Sequence, residues 1–269
     1  MNIFYAFLLG IIQGLTEFIP VSSTAHLLIA QHLLGIPADD AIFVFNVLVQ
    51  LGTTLALIIY FWKDLWALLK AFFAKPFSTA ENRLAWYILI ATIPALLAGV
   101  LLKSAVETLF KTPLIEAAIR LLTAAILMTL AEYFGKHLRN LESMTWLDAL
   151  VVGLFQVLAV FPGASRSGST ISGGILRGFD RPAAARFAFL ISAPVLLAAG
   201  AYETFDLRHM ANLSSFLPFV AVGFVVAAIV GWFSIRWLLA YLNRNSLYAF
   251  AIYCAVVGLI CLGWQYFAG

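Results

Sequence analysis

Six long apolar stretches constrain this chain more than any other feature. They lie at about 42–62, 84–102, 114–134, 183–204, 215–235 and 247–267. Crossing a bilayer core as a helix takes about 20 mostly apolar residues. Backbone polar groups at that depth have no water to bond, so a lone segment satisfies them by becoming helical. Composition points the same way, with 63% apolar and 11% charged residues and a mean hydropathy of +0.99. Soluble domains are about a quarter charged. The expected fold is all-α, a polytopic transmembrane helical bundle forming a single integral membrane domain over 1–269.

The net charge is only +3. No basic run or aromatic–basic strip is present, so nucleic acid is excluded as a partner. Cys254 and Cys261 lie in one apolar segment, roughly 10 Å apart along a helix axis, too far for a disulfide within it. The opening Met1-Asn2-Ile3-Phe4 lacks the positive region of a cleavable signal. The many Trp and Tyr residues suit an aromatic belt, with Glu107, Glu203 and Asp206 expected at the interface.

Two further apolar segments are interrupted. Residues 3–35 are broken by Pro20-Val21-Ser22-Ser23-Thr24, and residues 147–178 by Pro162-Gly163-Ala164-Ser165-Arg166-Ser167-Gly168. Each arm is too short for a clean span. Both segments read as re-entrant helix–break–helix hairpins, with a pair of kinked spans as the alternative. The halves also repeat. Gly10, Gln13 and Phe18 match Gly153, Gln156 and Phe161, 143 positions on; Ser23, Phe45, Leu48, Leu55 and Tyr60 match Ser165, Phe187, Leu190, Leu197 and Tyr202, 142 positions on. Repeat one covers about 1–134 and repeat two about 147–267. Each reads as a hairpin plus three spans, and an odd number of spans inverts the second repeat. Such repeats place a site near the midplane, where the broken helices meet.

Lys and Arg placement sets orientation. Loops 63–83, 135–146, 177–182 (with nearby Arg186) and 236–246 carry Lys63, Lys70, Lys75, Arg83, Lys136, Arg139, Arg177, Arg181, Arg186, Arg236 and Arg244. The opposite face carries Lys103, Lys111 and Arg208. Eleven against three puts the first face in the cytoplasm and the first hairpin's opening outside.

The chemistry gathers at the breaks. Glu17, His26 and Arg166 are the titratable residues there, among Thr16, Ser22, Ser23, Thr24, Ser165, Ser167, Ser169 and Thr170. A charge in a bilayer interior costs roughly 3 kcal/mol or more, so such groups are paired or functional. Gln13 and Glu17 share a helix face. Pro20 stops that helix, and Ser22 or Ser23 caps the next. A second helix starts at Ser165-Arg166-Ser167. Helix N-termini bind anions, and the Arg166 guanidinium matches phosphate oxygens. A phosphate-rich headgroup on an apolar molecule fits this set. Plainer readings stand beside it: Glu17 pairing with Arg166 as structural glue, His26 as a bonded core residue, and Ser22, Thr24, Ser167 and Ser169 as caps or helix contacts.

At Gln13-Gly14-Leu15-Thr16-Glu17-Phe18-Ile19-Pro20-Val21-Ser22-Ser23-Thr24-Ala25-His26 and Pro162-Gly163-Ala164-Ser165-Arg166-Ser167-Gly168-Ser169-Thr170 the chain resembles the undecaprenyl-diphosphate phosphatase family, also known for bacitracin resistance. The likeness covers essentially the whole chain. It implies hydrolysis of undecaprenyl diphosphate to the monophosphate carrier lipid of cell-wall synthesis, in the bacterial plasma (inner) membrane with the site facing the periplasm or cell exterior. It also implies dependence on a divalent cation, Mg2+ or Ca2+, and is compatible with a homodimer. The resemblance implies functional roles for Glu17, Ser23, His26, Ser165, Arg166 and Thr170; Glu17, Ser23, His26 and Arg166 are expected to be catalytic, Gln13, Ser22, Thr24, Ser165, Ser167 and Thr170 to bind substrate, and Glu17 with Gln13 to hold the metal. Gln13 stands where many members have glutamate, so it orients rather than acts as a base; Ala25 stands where glycine is usual. Ser23 attacks or positions the phosphate with His26 as base, or His26 attacks and Ser23 orients it. The rival class is a polyprenyl-phosphate flippase or transporter using the same site.

Overall fold

The computed structural model describes residues 2–37, 39–109, 112–159, 164–206 and 213–268, without side chains at 40, 102–109, 203–206, 213–215 and 268. Pro162 and Gly163 of the second break, and Lys111 and Arg208 of the sparsely charged face, lie outside the described residues. So do the side chains of Lys103, Glu107, Glu203 and Asp206.

The described residues form eleven α-helices and no strand. They are α1 (Ile3–Thr16), α2 (Ser23–Leu33), α3 (Asp40–Tyr60), α4 (Trp62–Phe72), α5 (Ala80–Leu109), α6 (Pro113–Phe134), α7 (Trp146–Val157), α8 (Arg166–Leu176), α9 (Arg181–Asp206), α10 (Leu213–Leu242) and α11 (Tyr248–Ala268). Six are long and apolar enough to cross a membrane, over Ala41–Tyr60, Ala80–Leu101, Pro113–Phe134, Arg181–Tyr202, Phe216–Leu242 and Tyr248–Phe267. These are the six stretches expected from sequence, and the chain is a multi-pass membrane protein.

Both interrupted segments break where the sequence suggests: α1 stops at Thr16 and α2 starts at Ser23, while α7 stops at Val157 and α8 starts at Arg166. Two loop boundaries need correction. The 63–83 loop contains α4, an amphipathic helix with Asp64 in its first turn and Lys70 in its last, the charge order that complements the helix dipole. Exposed Trp62 and Trp66 stack along one side of it. The 236–246 loop is largely the end of α10, where Arg236 lies over the Trp232 ring; a long basic stem extends an apolar helix by reaching out from it.

Small residues let the broken helices dock closely. α1 packs along α10, and α7 packs along α5. A Cβ on Gly10 would sit 2.7 Å from the Gly223 carbonyl oxygen, and one on Gly153 would sit 2.5 Å from that of Ala91. Without strong hydrophobic attraction between helices in lipid, such backbone contact supplies the packing energy. Phe18, directly after Glu17, is fully buried and meets Phe189 edge to face at 5.5 Å. It pins the first break into the core.

Buried acids anchor several of the basic loops. Asp148 takes Arg139 and Arg177, each at 2.7 Å. Glu132 takes Arg181 at 2.6 Å and the Leu247 N–H at 2.8 Å. Burial alone would raise the Asp148 carboxyl, but hydrogen bonds from Arg139, Thr145 and Arg177 hold it well below the usual carboxylate range.

Candidate active site

The first break is built by its own hydrogen bonds. The Glu17 N–H closes α1 on the Gln13 carbonyl at 3.0 Å. The chain then turns through Val21, whose N–H donates to the Ile19 carbonyl. Ser22 adopts φ 67° and caps α2, its Oγ accepting from Ala25 N at 3.4 Å. A non-glycine residue in that left-handed region is uncommon, and such strain concentrates at functional sites. The second break ends in the same device: Ser165 Oγ accepts from Gly168 N at 3.3 Å and caps α8.

The breaks meet at Glu17, which is buried at 4% exposure. Its Oε2 accepts from Gln13 Nε2 at 2.8 Å and from Ser23 Oγ at 2.6 Å. Its Oε1 accepts from Arg166 Nη2 and from Gln50 Nε2, the latter at 3.4 Å. Arg166 Nε is buried without a partner among the described residues. Four donors surround this carboxylate, one of them the Arg166 guanidinium.

Around this pair lies a cavity of about 180 Å³. Glu17, Ser22, Ser23 and Thr24 line it from the first break, and Ser165, Arg166 and Ser167 from the second. Ala95, Val195, Leu196 and Ala199 supply apolar wall from α5 and α9. Pockets for whole drug-sized ligands run about 300–1,000 Å³. This one suits a compact polar head and leaves an apolar chain outside.

The expected convergence is partly realised. Gln13, Glu17, Ser22, Ser23, Thr24, Ser165, Arg166 and Ser167 come together. His26 and Thr170 are absent from the cavity lining. His26 Nδ1 bonds the Ser22 carbonyl at 2.8 Å, one turn back on its own helix, and its Nε2 meets Tyr253 Oη on α11 at 2.7 Å. A carbonyl only accepts, so Nδ1 carries the proton and in the neutral ring Nε2 accepts from the tyrosine. The imidazole is thus turned toward α11. The Thr170 hydroxyl donates to the Arg166 carbonyl at 2.8 Å, within its own helix.

Three polar lining residues escaped the sequence reading of the site: Gln50, Arg120 and Gln156. Arg120 is held by Glu116, one turn before it, at 2.8 Å. A charged pair inside an apolar span is itself a signal. Gln156 also had one, since it is the repeat counterpart of Gln13.

A family model described as bacitracin resistance protein BacA matches residues 6–260. An undecaprenyl-diphosphatase of Anaeromyxobacter dehalogenans is 43% identical over 268 residues, covering 96% of this chain and 90% of the relative. One from Chlorobium phaeobacteroides is 39% identical over 277 residues, covering 98% and 97%. One from Mycolicibacterium smegmatis is 40% identical over 260 residues, covering 94% and 93%. With the match running through both breaks and into the sixth span, the chain belongs to the BacA bacitracin-resistance family.

Proposed function

We propose that this chain is an undecaprenyl-diphosphatase, releasing the terminal phosphate of undecaprenyl diphosphate, recycling the carrier lipid for peptidoglycan synthesis and so conferring bacitracin resistance. The observation that carries this reading is the Glu17 carboxylate held between Ser23 of one break and Arg166 of the other, inside a headgroup-sized cavity. The relatives' names supply the lipid.

Phosphoryl transfer needs positioning and charge stabilisation above all. Arg166, with its Nε unpartnered, clamps phosphate oxygens, and Arg120 adds a second guanidinium to the cavity. Ser165 and Ser167 offer hydroxyls beside the α8 N-terminus. The Ser23 hydroxyl already donates to Glu17, so Glu17 is in place to take its proton. In the direct route Ser23 Oγ bonds the terminal phosphorus, the bridging P–O bond breaks, the lipid monophosphate leaves, and water then releases phosphate from Ser23. In the alternative Ser23 orients an attacking water. His26, bonded to Ser22, steadies the strained start of α2.

The donor set also fits a hard divalent cation. Beside the Glu17 carboxylate lies the Ser23 hydroxyl oxygen, while Gln13 and Gln50 turn amide N–H groups to it, and among the described residues no three His, Cys, Asp or Glu gather to enclose a metal. One carboxylate suits Mg2+ or Ca2+ when phosphate and water complete the shell. Glu17 would hold it, joined by the Gln13 amide oxygen once that amide turns over; when bound, such an ion would neutralise phosphate charge.

The two broken segments are read as re-entrant hairpins of an inverted repeat within one domain. Exchanged packing supports this: the first helix of each half lies on the second span of the other, at Gly10 with Gly223 and Gly153 with Ala91. Lys and Arg placement directs the cavity away from the cytoplasm, in the bacterial inner membrane. Cysteine labelling that placed Lys75 outside would reverse it. A second copy of the chain fits the exposed apolar outer faces, and the mass in detergent distinguishes monomer from homodimer.

The deciding experiment is release of inorganic phosphate from undecaprenyl diphosphate by the detergent-purified protein, with and without chelator. A flippase needs two compartments and releases nothing there. Phosphate release that chelator suppresses supports the reading, and no release refutes it.

A further inference from the structure

Gln156 is the penultimate residue of α7 and is 1% exposed. It lines the same cavity as Glu17, Ser23 and Arg166. Among the described residues, neither its Oε1 nor its Nε2 has a hydrogen-bond partner. A primary amide carries two donors and two acceptor sites, and buried polar groups are almost always bonded. Its repeat counterpart Gln13 shows what the same residue does when committed: Nε2 donates to Glu17 Oε2 at 2.8 Å and meets Thr53 Oγ1 at 3.4 Å. The two halves therefore place one amide each at the breaks. One is spent on holding the carboxylate, and the other faces the cavity uncommitted.

We propose that Gln156 is a direct ligand of the diphosphate head, its Nε2–H donating to a non-bridging phosphate oxygen while Arg166 holds the same headgroup. Phosphate oxygens at neutral pH accept and do not donate, so the amide nitrogen is the end that meets them. Its Oε1 is then left for a proton of water or of a hydroxyl in the cavity. The ligand's identity rests on the phosphatase reading; the anion-binding role does not.

The test uses the full-length protein in detergent, with Gln156→Leu, Gln156→Met and the isosteric Gln156→Glu. Two readouts are taken: kinetics on undecaprenyl diphosphate, and thermal stabilisation by inorganic pyrophosphate. Removing an unbonded buried amide costs the empty protein nothing, so Gln156→Leu or Gln156→Met keeps the wild-type melting temperature without ligand, whichever side chain packs better. Hydrogen bonds to charged groups imply a fall in kcat/KM of about ten- to a hundredfold. Gln156→Glu, which replaces a donor by a negative charge, falls further. Pyrophosphate stabilisation shrinks in the same order. Wild-type kinetics in Gln156→Leu or Gln156→Met overturn the proposal, as does an unchanged pyrophosphate shift. If the wild type releases no phosphate, the phosphatase reading fails. The pyrophosphate shift of wild type against Gln156→Met then still decides the role of Gln156: a lost shift supports it, and an equal shift, or none in the wild type, overturns it.

Discussion

The Glu17–Arg166 pair makes a prediction that separates stability from catalysis. Removing one member of a buried pair costs about 3–5 kcal/mol, because the other charge is left dry. The two single substitutions are not equivalent here. Arg166→Met leaves Glu17 with Gln13, Ser23 and Gln50 as donors. Glu17→Gln leaves the Arg166 guanidinium without its carboxylate, and Arg166 Nε already has no partner. Glu17→Gln should therefore sit at the high end of that range and Arg166→Met at or below the low end. At roughly 2–4 °C per kcal/mol, Glu17→Gln lowers the melting temperature by about 10 °C or more. The double variant has no net charge left to desolvate and loses about 2–3 kcal/mol less than the sum of the two single variants. Catalysis should not recover, since the proposed proton acceptor of Ser23 and the proposed phosphate clamp are both gone. The assay is thermal unfolding in detergent beside phosphate release, across all four proteins. Strict additivity within about 0.5 kcal/mol, or a double variant that regains turnover, would refute the role given to this pair.

Three further outcomes follow from other parts of the structure. Ser23→Ala should lower kcat by about 10²-fold or more with little change in KM, on the scale of lost proton-transfer and nucleophilic groups; turnover above a tenth of wild type removes Ser23 from the reacting atoms. Asp148, whose folded carboxyl is held low, stabilises fully above its unfolded value near pH 3.9 and loses that contribution as pH falls below it. Wild-type melting temperature should accordingly drop as pH falls below about 4, and Asp148→Asn should melt lower at pH 7 and lack that part of the drop. Gly153→Val places a side chain against the Ala91 backbone and should destabilise or misassemble the protein, while Gly99→Ala, with open space around it, should be silent in the same size-exclusion profile.

Much of the fold is legible in the chain because membrane insertion is a local decision. A segment of about 20 apolar residues partitions as a helix whatever its neighbours are, so all six spans can be read to within a few residues, apart from the extended ends of α5 and α10. The breaks are equally local: Pro20, the Ser22 cap and the Ser165 cap act through their own neighbouring backbone. The helix α4 falls outside the six spans because it is short and amphipathic, with too few apolar residues to register as a span.

The site divides along the same line. Sequence alone determined that Gln13, Glu17, Ser23 and Arg166 belong to polar interruptions of a membrane protein, because isolated charge is too costly there to be idle. Only the tertiary structure decided which groups touch. It brought Arg166 to Glu17 across 149 positions of chain, turned His26 to Tyr253 on α11, and gave Arg120 and Gln156 to the cavity from two different helices. Helix rotation and docking are set by close backbone approach at residues such as Gly10 and Gly153. That is a property of pairs of distant segments, which no single stretch of sequence carries.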